Sequence, residues 1–275
     1  MILNNYTSVK NKVVVITGAS SGIGKACASE FFKRGAHLAL VARTESKLIE
    51  LVQSINNLGG QAIYVVADVS NEKDCSNMIS NVVDHYGQID ILINNAGISM
   101  RALFLDLDLR DFIKVMDINF YGTVYATKYA LKYILESKGS VVGVSSIAGH
   151  KGLPARTAYS ASKFAMTGFL EALRIENFKK GLHVLIASPG FTASNIRQNA
   201  LNSIGENQKE SPRDEKKMMT PEEVAEKIVV AVEKRKHSII LTTQGKVLVF
   251  LNKFFPRIVD KLVFKTLSKE KKSPF

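Results

Sequence analysis

Lys12-Val13-Val14-Val15-Ile16-Thr17-Gly18-Ala19-Ser20-Ser21-Gly22-Ile23-Gly24 is the stretch from which the fold can be read. Its first half is β-branched and apolar, which predicts a buried strand over residues 12–17. Glycines then interrupt the run, and Ile23, Cys27 and Phe31 recur at helical spacing, so the order is strand, turn, helix. In such a unit the glycines let the backbone approach a pyrophosphate. The free N–H groups and dipole of the helix N-terminus favour negative charge there.

The same unit repeats along the chain. Further strands are predicted at 36–42, 62–67, 89–94, 140–145, 183–188 and 238–241, with helical stretches between them. After the second strand, Leu48, Leu51, Val52, Ile55 and Leu58 share one helical face, and Gly59-Gly60 closes that helix. The runs at 36–42, 89–94 and 140–145 are almost continuously apolar, as strands covered on both faces are. Alternating strands and helices predict the α/β class: a doubly wound (Rossmann), mostly parallel seven-stranded sheet with helices on both faces.

Residues 1–244 read as one domain, and 191–219, rich in Asn, Ser, Lys and Glu, reads as a mobile substrate lid within it. Thr220-Pro221-Glu222-Glu223 then marks a helix start, with an N-cap and a proline at the first helical position. Residues 245–275 form a basic amphipathic extension, divided by Pro256 into two short helices. Here Lys253, Arg257, Lys261 and Lys265 recur every four residues among Phe254, Phe255, Ile258, Val259, Leu262, Val263 and Phe264. Such a helix packs on its own domain or a partner subunit, or lies in a membrane interface held by anionic lipid.

Composition narrows the class. With 46% hydrophobic and 23% charged residues among 275, the chain is a folded protein, not a disordered linker. Half of the formal net charge of +12 lies beyond residue 245. No base-stacking or groove-reading motif accompanies it, so nucleic acid is not an expected partner. Cys27 and Cys75 lack metal-ligand spacing, so neither a metal site nor a disulfide scaffold is expected and a reducing cytoplasm fits. The opening Met1–Tyr6 lacks the pattern of an export signal, and no apolar run is long enough to span a bilayer.

Beyond the glycine turn, motifs follow the ends of successive strands. Gly18, Gly22 and Gly24 are spaced G-x-x-x-G-x-G. Asp68 follows the third strand, and Asn94-Asn95-Ala96-Gly97 the fourth. Asn119 lies in the next helix, Ser145-Ser146 follow the fifth strand, and Tyr159-Ser160-Ala161-Ser162-Lys163 come next. In this order the motifs resemble the short-chain dehydrogenase/reductase family, in the branch of hydroxysteroid dehydrogenases and keto-lipid reductases, over about residues 12 to 194.

Tyr159 and Lys163 are four apart and so share a helical face. A phenol titrates near 10, and a neighbouring ammonium favours its ionised form, so Lys163 is expected to lower the pKa of Tyr159. The resemblance implies a catalytic set of Asn119, Ser146, Tyr159 and Lys163, with Ser146 and Tyr159 on the substrate oxygen and Ser145 as the near competitor of Ser146. It also implies that Asn119 bends its helix and holds a water linked to Lys163. Lys163 would in addition hydrogen-bond the ribose next to the nicotinamide.

For the cofactor, the resemblance implies contacts from Gly18, Ser20, Ser21, Gly22, Ile23 and Gly24. Asp68 would hold the adenine amino group, with Val69 as a backbone donor. Asn95, Ala96, Gly97, Tyr159 and Lys163 would follow, then Pro189 and Gly190, with either Thr192 or Ser194 on the carboxamide. The second strand ends in Ala42-Arg43-Thr44, where an acid would select NAD and an arginine selects the 2′-phosphate of NADP; Glu45 is the near counterweight. NADPH is therefore the expected cofactor, with NAD less favoured.

The expected activity is hydride transfer between that cofactor and a ketone or secondary alcohol. Ile98, Leu103, Phe104, Leu153 and Phe191 suggest a hydrophobic substrate, steroid-like, 3-ketoacyl or 3-keto-lipid. The resemblance further implies a homodimer or homotetramer built through the helices carrying Asn119 and Tyr159. The alternative is a catalytically silent nucleotide-binding scaffold or sensor of the same fold.

Overall fold

The computed structural model describes residues 7–275, so the Met1–Tyr6 stretch read above for an export signal lies outside the described residues. The chain alternates β1 (Val13–Thr17), α1 (Gly22–Lys33), β2 (His37–Ala42), α2 (Glu45–Asn57), β3 (Gln61–Val66), α3 (Glu72–Tyr86) and β4 (Ile91–Asn94). Then come α4 (Leu109–Met116), α5 (Gly122–Glu136), β5 (Ser140–Val144), α6 (Thr157–Glu176), β6 (His183–Ser188), α7 (Pro221–Glu233) and β7 (Ser238–Ile240). The tail forms α8 (Thr243–Phe254) and α9 (Pro256–Leu267).

All seven strands pair in parallel, in the order β3-β2-β1-β4-β5-β6-β7. Strand order reverses between β1 and β4, and at such a switch point diverging loops leave a crevice at the carboxyl ends of the strands. One face of the sheet packs on α1, α2 and α7 through Phe31, Leu48 and Ile228, all fully buried. The other packs on α3, α5 and α6 through Met78, Ile134 and Leu170. Buried on both sides, β2, β4 and β5 have no exposed residue, as their almost continuously apolar runs predict. The predicted strands at 62–67 and 89–94 are offset, starting at Gln61 and Ile91.

Helix ends follow local chemistry. Thr220 and Glu223 form a reciprocal capping box ahead of Pro221. Gly59, at φ +81°, supplies the left-handed residue just beyond α2. A buried pin joins β5 and β6: His183 Nδ1 lies 2.9 Å from Ser140 Oγ, and its Nε2 lies 2.9 Å from the Lys236 carbonyl. The carbonyl requires Nε2 to carry the proton, so the neutral ring accepts from Ser140. Burial pushes the His183 pKa down to about 4. The unfolded chain thus binds more protons than the folded one between about pH 6.5 and 4, and stability falls as pH drops through that window. The shift corresponds to about 3 kcal/mol, and His183→Gln should remove most of this acid sensitivity in urea titrations at pH 7 and pH 4.5. An unchanged pH slope in the variant would refute this role.

The excursion at 191–219 is tied at its base by a bridge between Thr192 and Met219, and Leu201 bridges to Met100 beyond β4. The tail divides at Pro256, as predicted, but α8 already begins at Thr243. Val259, Val263 and Leu267 of α9 are buried with Leu153, Leu248 and Leu251. No described helix is long and apolar enough to cross a membrane.

Candidate active site

The glycine turn between β1 and α1 is shaped by close backbone approaches. Gly18 has φ +66°, and a Cβ there would lie 2.9 Å from Ala96 Cα; one at Gly24 would lie 2.3 Å from the Gly18 carbonyl. Asn95 Nδ2 donates to the Thr17 and Gly18 carbonyls at 3.0 and 3.3 Å. Thr17 Oγ1 accepts from the backbone N–H of Asn95 and of Ala96 at 3.0 and 3.1 Å. Sequence reasoning missed Thr17; its signal was a hydroxyl residue ending a buried strand immediately before the glycines. Ser21 at the N-cap makes no side-chain cap, and the first turn of α1 holds no acid. The first-turn N–H groups of α1, with no side-chain cap and no acid beside them, fit a pyrophosphate, so the residues present suit a dinucleotide.

At the end of β2, Arg43 is mostly exposed, with Nη1 3.6 Å from Asp68 Oδ2. Asp68 accepts from the N–H and hydroxyl of Ser70 at 3.0 and 2.7 Å. Burial raises the Asp68 pKa, but Ser70 and Arg43 together outweigh it and hold the carboxyl below its ordinary value. Val69 is buried after it. Glu45 accepts from the Tyr64 hydroxyl at 3.4 Å.

Asn119 lies in a π-helical turn, Asp117–Tyr121, between α4 and α5, and it is fully buried. A π turn widens the helix at this asparagine. Its Oδ1 accepts from the Ile98 N–H at 2.8 Å, and its Nδ2 donates to the Ile98 carbonyl and to Ser162 Oγ at 3.0 and 2.9 Å. Asn119 thereby joins the loop after β4 to α6. A Cβ at Gly97 would lie 3.0 Å from Asn119 Oδ1 and 3.7 Å from Lys163 Nζ, so loop, asparagine and lysine meet at one point.

The two serines after β5 part company. Ser145 is buried, with its hydroxyl 3.3 Å from Thr167 Oγ1 and 3.5 Å from the Lys163 carbonyl, turned into α6. Ser146 Oγ accepts from the Ala148 N–H at 3.1 Å, and Ser146 lies close enough to the Tyr159 phenol to offset part of the effect of its burial. With one lone pair taken by Ala148, the Ser146 hydroxyl keeps its proton as a donor on the side of Tyr159.

Lys163 shares a face of α6 with Tyr159, its Nζ 5.8 Å from the ring centroid. The expected lowering of the Tyr159 pKa by Lys163 is not what the structure gives. Lys163 Nζ donates to the Val144 carbonyl at 2.8 Å, and burial brings its pKa down to about 8. Burial pushes the Tyr159 phenol up, and the partial offset comes from Ser146, Arg156 and Arg197, not from Lys163. Neither arginine was singled out from sequence, because one heads α6 and the other lies in the 191–219 excursion. After β6, the Pro189 carbonyl accepts from the Ile147 N–H at 3.2 Å, and Gly190 lies against Thr242. Thr192 is buried with its hydroxyl 3.3 Å from the Gly190 carbonyl, whereas Ser194 Cβ faces Gly22.

Fold and site together define a Rossmann-type nucleotide fold in which Tyr159 and Lys163 share a face of α6, with Ser146 close to Tyr159. The sequence model of the short chain dehydrogenases matches residues 12–204, and the chain belongs to that family. It is 42% identical over 194 residues to 11-beta-hydroxysteroid dehydrogenase-like 2 of Arabidopsis thaliana, a match covering 70% of this chain and 63% of the relative. The chain thus spans just under two thirds of that relative's length. With dehydrogenase/reductase SDR family member 7B of Xenopus tropicalis it shares 34% identity over 278 residues, 98% of this chain and 90% of the relative. Among solved structures, a short-chain dehydrogenase/reductase from Burkholderia phymatum in complex with NAD superposes with TM-score 0.83, at 22% identity over 92% of this chain and 96% of that one. An alcohol dehydrogenase from Thermococcus sibiricus complexed with 5-hydroxy-NADP gives 0.74, at 24% identity over 84% and 95%. At these identities the likeness is one of fold.

Proposed function

We propose that this protein is an NADPH-dependent oxidoreductase that interconverts a ketone and a secondary alcohol on a hydrophobic substrate, steroid-like, 3-ketoacyl or 3-keto-lipid. The observation that carries the reading is Tyr159 and Lys163 on one face of α6, with Lys163 Nζ 5.8 Å from the phenol ring and beside Gly97, next to a glycine turn whose backbone suits a pyrophosphate. The names of the hydroxysteroid dehydrogenase-like relatives agree with it.

The pyrophosphate would lie on residues 18–24, the adenine beside Asp68 and Val69, and the nicotinamide half among Asn95, Ala96, Gly97, Tyr159, Lys163, Pro189, Gly190, Thr192 and Ser194. When bound, the nicotinamide supplies or receives the hydride. The chain supplies the rest. Ser146 donates to the carbonyl oxygen and stabilises the charge developing there. Tyr159 delivers its proton to the same oxygen. Lys163 resupplies the proton, and Asn119 holds the loop and a water on that path.

Arg43 is the residue proposed to select NADPH, because a guanidinium matches a phosphate with two parallel hydrogen bonds. Arg43→Ala should weaken NADPH binding roughly tenfold and leave NADH within about twofold, by fluorescence titration. Wild-type protein that binds NADH as tightly as NADPH would refute the preference. The alternative of a silent scaffold predicts NADPH binding without turnover across a ketone panel.

The assembly proposed is a homodimer or homotetramer through α4, α5 and α6, where Tyr121 and Phe164 are exposed. A monomeric sedimentation profile would contradict it. Location at the cytoplasmic surface of a membrane is proposed from the tail. Val247, Phe250, Phe254, Phe255, Ile258, Leu262 and Phe264 are each more than half exposed, interleaved with Lys253, Arg257, Lys261 and Lys265. One face of α9 is spent on packing, and this outer one suits anionic lipid. The protein should float with phosphatidylserine vesicles and not with neutral ones; failure to float with either would count against it.

A further inference from the structure

The excursion at 191–219 is built as a flap. Its base is held by backbone bonds, with the Ala193 N–H donating to the Met219 carbonyl at 2.8 Å and the Met219 N–H to the Phe191 carbonyl at 3.3 Å. Within it, Arg197 donates to Ser211 Oγ at 3.1 Å and to Glu215 Oε1 at 2.9 Å, which braces the segment as a unit. Along its inner edge the Leu201 N–H donates to the Ser99 carbonyl at 3.0 Å, and the Leu201 carbonyl accepts from the Arg101 N–H at 2.7 Å. Leu201 is buried with Met100, Ala102 and Ala158 in the cluster against which Tyr159 packs. The flap is shut beside the proposed proton donor.

Its fastening comes from the far end of the chain. Val259, Val263 and Leu267 of α9 pack with Leu153, three residues before Arg156, and this docking brings Glu270 to the head of α6. Glu270, at 2% exposure, accepts from Arg213 Nε at 2.7 Å and from Arg156 Nη2 at 3.0 Å. Arg101 Nε lies 3.4 Å from its Oε2, and Arg101 Nη2 donates to the Lys271 carbonyl at 2.9 Å. Arg213 belongs to the flap and stacks 3.7 Å over the Phe191 ring, directly after Pro189 and Gly190. One carboxylate thus joins the flap, the helix that carries Tyr159 and the loop after β4. Lys271 and Lys272 also reach Glu210 of the flap, at 3.9 and 3.3 Å, but these three side chains are at least 60% exposed. Such pairs contribute little, so the buried carboxylate dominates.

The charge balance makes that fastening sensitive to a single residue. Arg101, Arg156, Arg197 and Arg213 are answered by two carboxylates among the described residues, Glu215 and Glu270. Arg101 Nε and Arg213 Nη2 are buried without a hydrogen-bond partner. Deprived of the Glu270 charge, three guanidiniums would face one another at low dielectric. Arg213 is the one of the three that sits on a movable element, so the flap is what gives way.

We propose that Glu270 is a positioning residue of the site: a clasp through which the C-terminal tail holds 191–219 shut over a bound ketone. This rests on the oxidoreductase reading above, which it deepens by giving the tail a part in substrate binding.

The test has two arms, both on the full chain saturated with NADPH. The first follows amide hydrogen exchange at Leu201 and Arg101, whose N–H groups form the seam between flap and loop. Glu270→Gln should speed exchange there at least about tenfold, and Glu270→Asp, which keeps the charge, should stay within about threefold of wild type. Arg213→Gln, which frees the flap while the tail keeps its bond to Arg156, should speed it at least about threefold and serves if Glu270→Gln does not fold. Ile228→Ala lowers global stability from the opposite face of the sheet and should leave the seam within about twofold. In the second arm, with ethyl 3-oxodecanoate as the ketone, both clasp variants should raise KM at least about fivefold, because fewer molecules hold the flap shut, with kcat within about threefold. Ile228→Ala should keep the wild-type KM. Seam exchange that is unchanged in both clasp variants, or as fast in Ile228→Ala, would overturn the proposal, as would an opened seam with unchanged KM. Turnover of no ketone by the wild type would overturn the oxidoreductase reading alone, since the exchange arm still decides the clasp.

Discussion

Replacing Tyr159 by phenylalanine is expected to lower kcat for ketone reduction by about 10²–10⁴-fold, while NADPH binding changes by less than about threefold. Phenylalanine keeps the ring in its apolar cluster with Met100 and Leu201, so the fold loses little. The lost hydroxyl is the group beside Ser146 and, in the proposed reaction, the proton donor. Ser146 would still polarise a carbonyl, but the alkoxide formed would have to take its proton from elsewhere. The loss should appear in kcat, because the proton moves only in the transition state. In wild-type protein, proton resupply through Lys163, brought by burial to about 8, predicts a reduction rate that is level below that pH and declines above it. A variant with near-wild-type kcat would place the proton transfer at another residue.

Glu270→Gln is expected to cost about 3–5 kcal/mol, with a Tm lower by on the order of 10 °C. The substitution keeps the shape and removes the charge on which Arg156, Arg213 and Arg101 converge. Breaking a buried ion pair by deleting one partner is costly, because the remaining guanidiniums stay in low dielectric without their counter-ion. Burial alone would raise the Glu270 pKa, but Arg156 and Arg213 outweigh it, so the folded carboxyl lies below its ordinary value. Its contribution is then present above the unfolded carboxylate range and lost as pH falls through the folded value. Differential scanning calorimetry of both proteins at pH 7 and pH 3.5 checks this: the gap in Tm should be wide at the higher pH and narrow at the lower. An equal Tm at pH 7 would mean that the tail is not anchored through this residue.

Much of the architecture was legible because it is governed by short-range rules. A β-branched run ending in glycines, followed by apolar residues at helical spacing, defines β1, the turn and α1 within the twenty residues 12–31. Parallel pairing follows once such units repeat. The Tyr159–Lys163 spacing placed both on one face of a helix, and Pro256 divided the tail, since backbone geometry alone dictates each. Strand ends were less sharp, as at Gln61 and Ile91, because propensity does not mark the residue at which pairing begins.

Within the site, sequence could nominate Ser145 and Ser146 together and could not separate them. Adjacent strand-end residues face opposite ways, and only the packed α6 takes up Ser145 through Thr167 while Ser146 meets Tyr159. The direction of Lys163 toward the Val144 carbonyl likewise depends on β5 lying beneath α6.

By itself, then, the sequence determined the doubly wound sheet, the glycine turn and the helical pairing of Tyr159 with Lys163, because each is set by neighbours a few residues apart. Tertiary structure alone decided that Glu270 closes on Arg156, 114 residues away, and that four arginines gather there with too few acids. No spacing rule reaches that far: such a contact exists only once α9 has packed and the excursion after β6 has folded back over the loop after β4.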